Sequence, residues 1–267
     1  AIAIANASGS SLVLQAVFIA FSIQWIAFIP AYIFQTEKFY DLMGSITYLT
    51  VIWFTLMSSS NESTLTNIGN IVIVLLISSW AIRLGTFLFL RIKKDGEDKR
   101  FRTIKPSASR FFMTWTLQGL WVSLCSMCAL TAISSESGII LNVFFYLGVA
   151  IFILGFAIEI IADNQKSKFR SIEANKDSFI TTGLWAKSRH PNYLGEILLW
   201  LGVAVISFSS LSGWQYLTLI SPIFTYLLLV YVSGVRMLEE RGEKKWGHNE
   251  EYIKYKSTTP RLFFNLK

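Results

Sequence analysis

The chain has 267 residues, of which 53% are hydrophobic, 15% aromatic and only 15% charged, and its net charge is +7. Charged residues make up about a quarter of an ordinary soluble domain, and here the apolar residues gather into long, nearly uncharged blocks. Composition therefore points away from a soluble domain and toward a membrane protein. With no basic patch on a folded soluble module, nucleic acid is excluded as a partner.

Roughly 20 consecutive apolar residues cross a bilayer as a helix. Seven blocks are predicted as spans: Leu12–Phe34, Asp41–Leu56, Ile68–Leu90, Phe111–Ile133, Ile139–Ala162, Tyr193–Ser209 and Trp214–Gly234. The connections 35–40, 57–67, 134–138 and 210–213 are short; 91–110, 163–192 and the tail from Val235 are longer and charged. The expected fold class is an all-α integral membrane protein with seven transmembrane helices, forming one embedded domain over 1–267. No internal repeat is visible, and the first residues lack the basic region of a cleaved signal peptide.

Of the 24 Lys and Arg residues, eight lie in 91–110, six in 163–192 and eight in the tail, leaving Lys38 and Arg83. With seven spans, every loop Lys and Arg falls on one side. The positive-inside rule makes that side cytoplasmic, with the N-terminus outside and the C-terminus inside. Anionic lipid headgroups account for most of this basic charge, and Arg is also suited to gripping phosphate oxygens in pairs. Cys125 and Cys128 lie three apart within one apolar block, with no further ligands nearby for a tetrahedral metal site. They are read as small buried residues.

Ionisable side chains at membrane depth are costly and usually face a bundle interior or an aqueous cavity. Asp41, Arg83, Glu159, Asp163 and Glu196 qualify. Two readings stay open for them: interhelical pairing, for example Arg83 with Asp41, or a functional site. Glu159, Asp163, Lys166 and Arg170 recur at spacings of four, three and four, one helical stripe running out of the membrane. The most informative stretch is Lys187-Ser188-Arg189-His190-Pro191-Asn192-Tyr193-Leu194-Gly195-Glu196. Pro191 suits the first turn of a helix, so Arg189 and His190 stand beside a helix N-terminus, where anions are favoured. Asn192 and Glu196, four apart, share a helix face, and Gly195 permits close approach of a helix or a ligand. The tail carries Glu239-Glu240-Arg241, then Lys245-Trp246-Gly247, Glu251-Tyr252, Tyr255 and Pro260, a cytoplasmic amphipathic helix followed by a turn.

These residues together resemble a superfamily of membrane enzymes that includes steroid 5α-reductases, sterol C14 and C7 reductases and isoprenylcysteine carboxyl methyltransferases. The run Arg189 to Glu196 is similar to its shared cofactor motif, and Lys245-Trp246-Gly247…Glu251-Tyr252…Tyr255…Pro260 is similar to the pattern that closes such chains. Asp163 with Arg170, and Asn192 with Glu196, resemble the steroid 5α-reductase branch. So do Phe39-Tyr40-Asp41-Leu42, Trp80-Ala81-Ile82-Arg83-Leu84-Gly85 and Gly96-Glu97-Asp98-Lys99-Arg100-Phe101, which look like bacterial members of it. The resemblance runs through most of the chain and is strongest over 159–260.

The resemblance implies NADPH as cofactor, held by Glu159, Asp163, Arg170, Arg189, His190, Asn192, Tyr193, Glu196, Glu240, Tyr252 and Tyr255, with no metal. It implies reduction of the Δ4 double bond of a 3-oxo steroid or similar lipid enone. Residues 1–134 would form the lipid-substrate half and 135–267 the cofactor half, in a monomer of the bacterial inner membrane among its lipids. Animal members polarise the ketone with adjacent Gln and Glu and with a Tyr on the third span. Here Thr36 separates Gln35 from Glu37, and Trp80, whose indole has only an N–H donor, stands where a Tyr is expected. The proton donor is therefore sought among Asp41, Glu37 and Tyr40. Two alternatives remain: an S-adenosylmethionine-dependent methyltransferase of a lipid or prenylated thiol, which shares the Arg-His-Pro run, and a transporter or lipid-binding protein without chemistry.

Overall fold

The computed structural model describes residues 1–58 and 65–264, and among these no strand occurs. Among the described residues the helices with full bounds are α1 (Ile2–Ala7), α2 (Ser11–Ile33), α3 (Tyr40–Met57), α4 (Ile68–Asp95), α5 (Ala108–Ile133), α6 (Val143–Ser171), α7 (Pro191–Phe208), α8 (Ile220–Leu227), α9 (Val235–Trp246) and α10 (Glu250–Thr258). Of the predicted connection 57–67, residues 59–64 lie outside the described ones.

Among the described residues six helical stretches are long and apolar enough to cross a membrane: α2, α4, α5, α6, α7 and the stretch Gly213–Trp246. This is the mark of a multi-pass membrane protein. The predicted span Asp41–Leu56 is a helix, α3, yet it is not among the six. Its 18 residues include Asp41, Ser45, Thr47, Thr50 and Thr55, which lower its apolarity. The last span and the tail helix, expected as separate pieces, form one helical stretch that changes type. It is 3-10 over Gly213–Leu219, α over Ile220–Leu227 and π over Leu228–Val232, before α9 begins. In the π turn Ser233 N donates to Leu228 O at 2.9 Å, and Gly234 then takes a backbone turn that separates it from α9.

The residues fall into two compact units, Ala1–Tyr146 with Val203–Ser221, and Leu147–Gly202 with Pro222–Lys267. In the first, α3 packs on α4, and α2 on α3 and α5. Every residue of α5 from Val122 to Ile133 is buried, including Cys125 and Cys128. Several buried polar groups here find partners within the unit, as expected where no water competes. Gln24 Nε2 donates to Thr47 Oγ1 at 2.7 Å, and the Ser123, Ser126 and Thr131 hydroxyls each donate to the carbonyl four residues back. The C-terminus of α2 closes on Gln35, a non-glycine residue at φ 50, with Thr36 N donating to Ala31 O. Glycine is usual at this left-handed position. Gln35 holds it by donating its own side-chain amide to Tyr32 O at 2.7 Å.

In the second unit α6 and α7 meet along glycines. A Cβ placed on Gly195 would lie 2.6 Å from Gly155 O, and one on Gly202 would lie 2.6 Å from Phe152 N. Lipid tails give apolar helices no net drive to associate, so small residues that let backbones touch supply the packing. Gly202→Ala should therefore lower thermal stability in detergent by about 1–3 kcal/mol, the usual cost of overpacking. An unchanged melting temperature would mean that this seam is not tight.

Candidate functional site

The site is built where α7 begins. Pro191 opens the helix, and Leu194 N donates to His190 O at 3.2 Å, so His190 caps it. The residues just before it are threaded against the chain's own tail. Ser188 Oγ donates to Leu262 O at 2.6 Å and accepts from His190 N at 3.2 Å, while Arg189 N donates to Pro260 O at 2.9 Å. Leu262 is buried with Leu194 and Val230, and Arg261 donates to Val230 O in the π turn at 3.3 Å. A π turn leaves a carbonyl out of the regular ladder, and here the tail's arginine takes it.

Glu239 of α9 binds both motif residues. Its Oε1 lies 2.8 Å from His190 Nε2 and its Oε2 lies 2.9 Å from Arg189 Nη1. Nη1 is close enough for an ion pair but out of line for a directed hydrogen bond, and it counts with Arg189 Nε and His190 Nδ1 as buried and without a hydrogen-bond partner among the described residues. Arg189 Nε and His190 Nδ1 are thus buried nitrogens without a hydrogen-bond partner among the described residues. Such atoms are rare in folded proteins, and they are what a polar ligand would satisfy. Burial holds the His190 imidazolium below its usual pKa; Glu239 opposes this, and Lys166 and Arg189 reinforce it.

Around this pair stand α6 and α10. Glu159, Asp163 and Glu196 are buried, whereas Arg170, farther out on the same stripe as Glu159 and Asp163, is exposed. Lys166 lies 4.5 Å over the Trp185 ring, and Trp185 Nε1 donates to Ala162 O at 3.0 Å. Tyr255 OH donates to Trp185 O at 2.6 Å, and Tyr252 and Tyr255 pack on Phe179 at ring distances of 5.1 and 5.8 Å. Burial raises the pKa of both phenols above its usual value. Gly195, read as permitting either a helix or a ligand, is filled by the backbone of α6. Among the described residues no group of His, Cys, Asp and Glu is arranged to hold a metal ion.

The matching family model spans residues 27–259 and is described as "Protein of unknown function (DUF1295)". The chain belongs to the DUF1295 family. No curated protein and no solved structure matches it.

Within this DUF1295 chain, Arg189, His190, Tyr193, Glu196, Asp163, Glu159, Tyr252 and Tyr255 all belong to the second unit. Tyr193 stacks on the His190 ring at 5.9 Å. Glu240 lies on the exposed side of α9, paired with Arg236 at 3.0 Å. Its neighbour Glu239, absent from the sequence-derived set, is the carboxylate that meets the motif. The signal was present: Glu239 follows buried Val235 by four residues and precedes buried Gly242 by three, the spacing of one helix face.

Asp41, Glu37 and Tyr40 belong to the first unit. Glu37 is buried and both its oxygens are engaged, one by Asp98 N at 2.9 Å and the other by the Lys105 ammonium. Tyr40 OH donates to Thr114 O at 2.9 Å. The cations acting on Asp41 are Arg100 and Arg91, while Arg83 lies 5.1 Å over the Phe87 ring. Asp98 caps the turn Lys99–Phe101 and accepts from Arg100 Nε at 2.7 Å; burial raises its pKa, but Arg100 and Arg91 carry it below the usual range. Phe101 is thereby seated in a buried cluster with Ala27, Ala31, Phe111 and Trp115. Within that cluster Trp115 is fully buried, edge-on to Tyr40 at 5.0 Å, and its Nε1 has no partner among the described residues. Trp80, standing where a phenol was expected, is buried edge-on to Tyr48 of α3 at 5.1 Å.

Proposed function

We propose that this protein is an NADPH-dependent reductase of the steroid 5α-reductase type, reducing the Δ4 double bond of a 3-oxo steroid or similar lipid enone. The observation that supports this most is the cluster of buried His190 with half-buried Arg189 and Glu239, in which Arg189 Nε and His190 Nδ1 have no hydrogen-bond partner among the described residues. A dinucleotide fits these groups. The planar guanidinium of Arg189 matches phosphate oxygens, and Lys166 and Arg170 supply further positive charge. Asn192, Glu196, Asp163 and Glu159 offer hydrogen-bonding groups for ribose and amide, and Tyr193, Tyr252 and Tyr255 add rings. When bound, NADPH supplies the hydride, and the chain's part is to hold, orient and dry it. In the reduction, charge develops on the ketone oxygen, and a positioned donor there lowers the barrier. Asp41 is the proton donor in this reading, and the Trp115 N–H is a second, neutral donor.

Counting α3, which at 18 residues rises about 27 Å, as a short seventh span completes the topology. The N-terminus is then outside and the C-terminus cytoplasmic in a bacterial inner membrane, where the chain works as a monomer.

Binding to the purified protein tests the cofactor. NADPH should protect it against thermal unfolding, as any ligand of the folded state does, and S-adenosylmethionine should not. Protection by S-adenosylmethionine alone would make it a methyltransferase, and protection by neither would leave a transporter or lipid-binding protein.

A further inference from the structure

The carboxylate of Glu239 has only acceptor atoms, so the His190 Nε2 that lies 2.8 Å from it must carry the proton. In a neutral imidazole the other nitrogen is then a bare acceptor. That nitrogen, Nδ1, is buried and unpartnered among the described residues, in a residue only 5% exposed. We infer that Glu239 is a positioning residue that fixes His190 as its Nε2–H tautomer, so that the site presents Nδ1 as an acceptor and selects a ligand group that donates there, a hydroxyl or an amide N–H. The inference rests on the dinucleotide reading for the ligand, whose ribose hydroxyls and carboxamide are such donors; the tautomer itself does not.

Three surroundings favour the neutral ring. The N-terminus of α7, which His190 caps, carries the positive end of the helix dipole and disfavours an imidazolium. Lys166 from α6 and Arg189 from the same segment are both cations acting on it, while Glu239 from α9 pulls the other way. Tyr193 of α7 stacks on the ring, and Tyr252 and Tyr255 of α10 bear on Glu239 and Arg189. One carboxylate therefore does two things. Its Oε2 holds the Arg189 cation, which suits a ligand acceptor such as phosphate, and its Oε1 sets His190 to receive a ligand donor. The neighbouring residues Arg189 and His190 then read opposite hydrogen-bonding polarities on one ligand.

The test has a part that needs no ligand. Nitrogen NMR of protein labelled in its two histidines, His190 and His248, should show His190 near neutral pH with Nε2 protonated and Nδ1 bare; a His190→Gln sample assigns the signals. In Glu239→Gln the preference should weaken toward a tautomer mixture. A proton on Nδ1 in the wild type overturns the proposal. The second part measures NADPH affinity. His190→Asn keeps an acceptor near the Nδ1 position and should bind within about threefold of wild type. His190→Gln, with its amide out at the Nε2 position, should lose roughly tenfold or more, about the value of one hydrogen bond. Equal losses in the two variants would also overturn it. If wild type shows the Nε2–H tautomer but binds no NADPH, the dinucleotide reading fails and the positioning role of Glu239 stands.

Discussion

Replacing Arg189 by alanine should weaken NADPH binding by about 2–3 kcal/mol, roughly 30- to 150-fold, the range for charge-assisted bonds to one phosphate. The backbone of the motif should survive, because Arg189 is held by its N–H to Pro260 O and Ser188 by its hydroxyl to Leu262 O, bonds that a side-chain change leaves in place. Glu239 would keep its contact with His190 but lose its cation. Some stability should therefore be lost as well, since removing one partner of a buried pair strands the other charge. Arg189→Lys separates the two effects. It retains the charge facing Glu239 but not the planar fork, so it should restore most of the melting temperature and only part of the affinity. Titrating NADPH and recording melting curves on the same preparations gives both numbers. Wild-type affinity in a folded Arg189→Ala protein would remove the guanidinium from the cofactor site.

The helices were readable because membrane spans are written in composition. The block Ile68–Leu90 lies within α4, and Phe111–Ile133 lies within α5. Asp41–Leu56 was readable as a helix but marginal as a span, since its hydroxyls and carboxyl dilute the apolar signal that marks the others. The Arg189-His190-Pro191 run was readable for a local reason: proline and the helix start fix where those two side chains begin. What holds them was not. Ser188 meets Leu262 across 74 positions and His190 meets Glu239 across 49, and no local pattern encodes such pairings. In the tail, choosing Glu240 over Glu239 was a question of helix phase. The pair Arg236–Glu240 at a spacing of four reads as a solvated face, and that reading turns Glu239 inward.

Glu37 makes the same point in the first unit. Its sequence setting beside Gln35 suggested an acid; its partners, Asp98 N and Lys105, make it the clamp that ties the 96–107 loop to the connection between α2 and α3. Gln35 itself faces outward as a helix cap. The sequence could not anticipate this because the loop's return to residue 37 depends on Phe101 finding the cluster of Phe111 and Trp115.

Asp41→Asn should leave NADPH binding intact while the rate of enone reduction falls by roughly 10²-fold or more, the usual scale for loss of a general acid. Asparagine has nearly the shape of aspartate, so the packing at the start of α3 is retained and the acidic proton alone is lost. Asp41 is the proposed donor among the three acids named from the sequence because the other two are engaged elsewhere. Glu37 has both oxygens occupied, and Tyr40 has committed its hydroxyl to Thr114 O. The competing account makes Asp41 a counter-charge to Arg100 and Arg91. That account expects a lower melting temperature with near-normal turnover when cold, because Arg100 and Arg91 would lose one of the two carboxylates that face them, leaving Asp98 alone. Measuring melting and turnover on one preparation tells the two apart. If turnover is normal, the donor must be sought among groups that carry no acidic carboxyl. The first is the Trp115 N–H, buried and unpartnered among the described residues, and the second is the Tyr48 phenol beside Trp80. Trp115→Phe would then be the decisive variant: it keeps the aromatic packing with Tyr40 and Phe111 while removing the one N–H, so a fall in rate without a fall in melting temperature would assign stabilisation of the ketone oxygen to the indole.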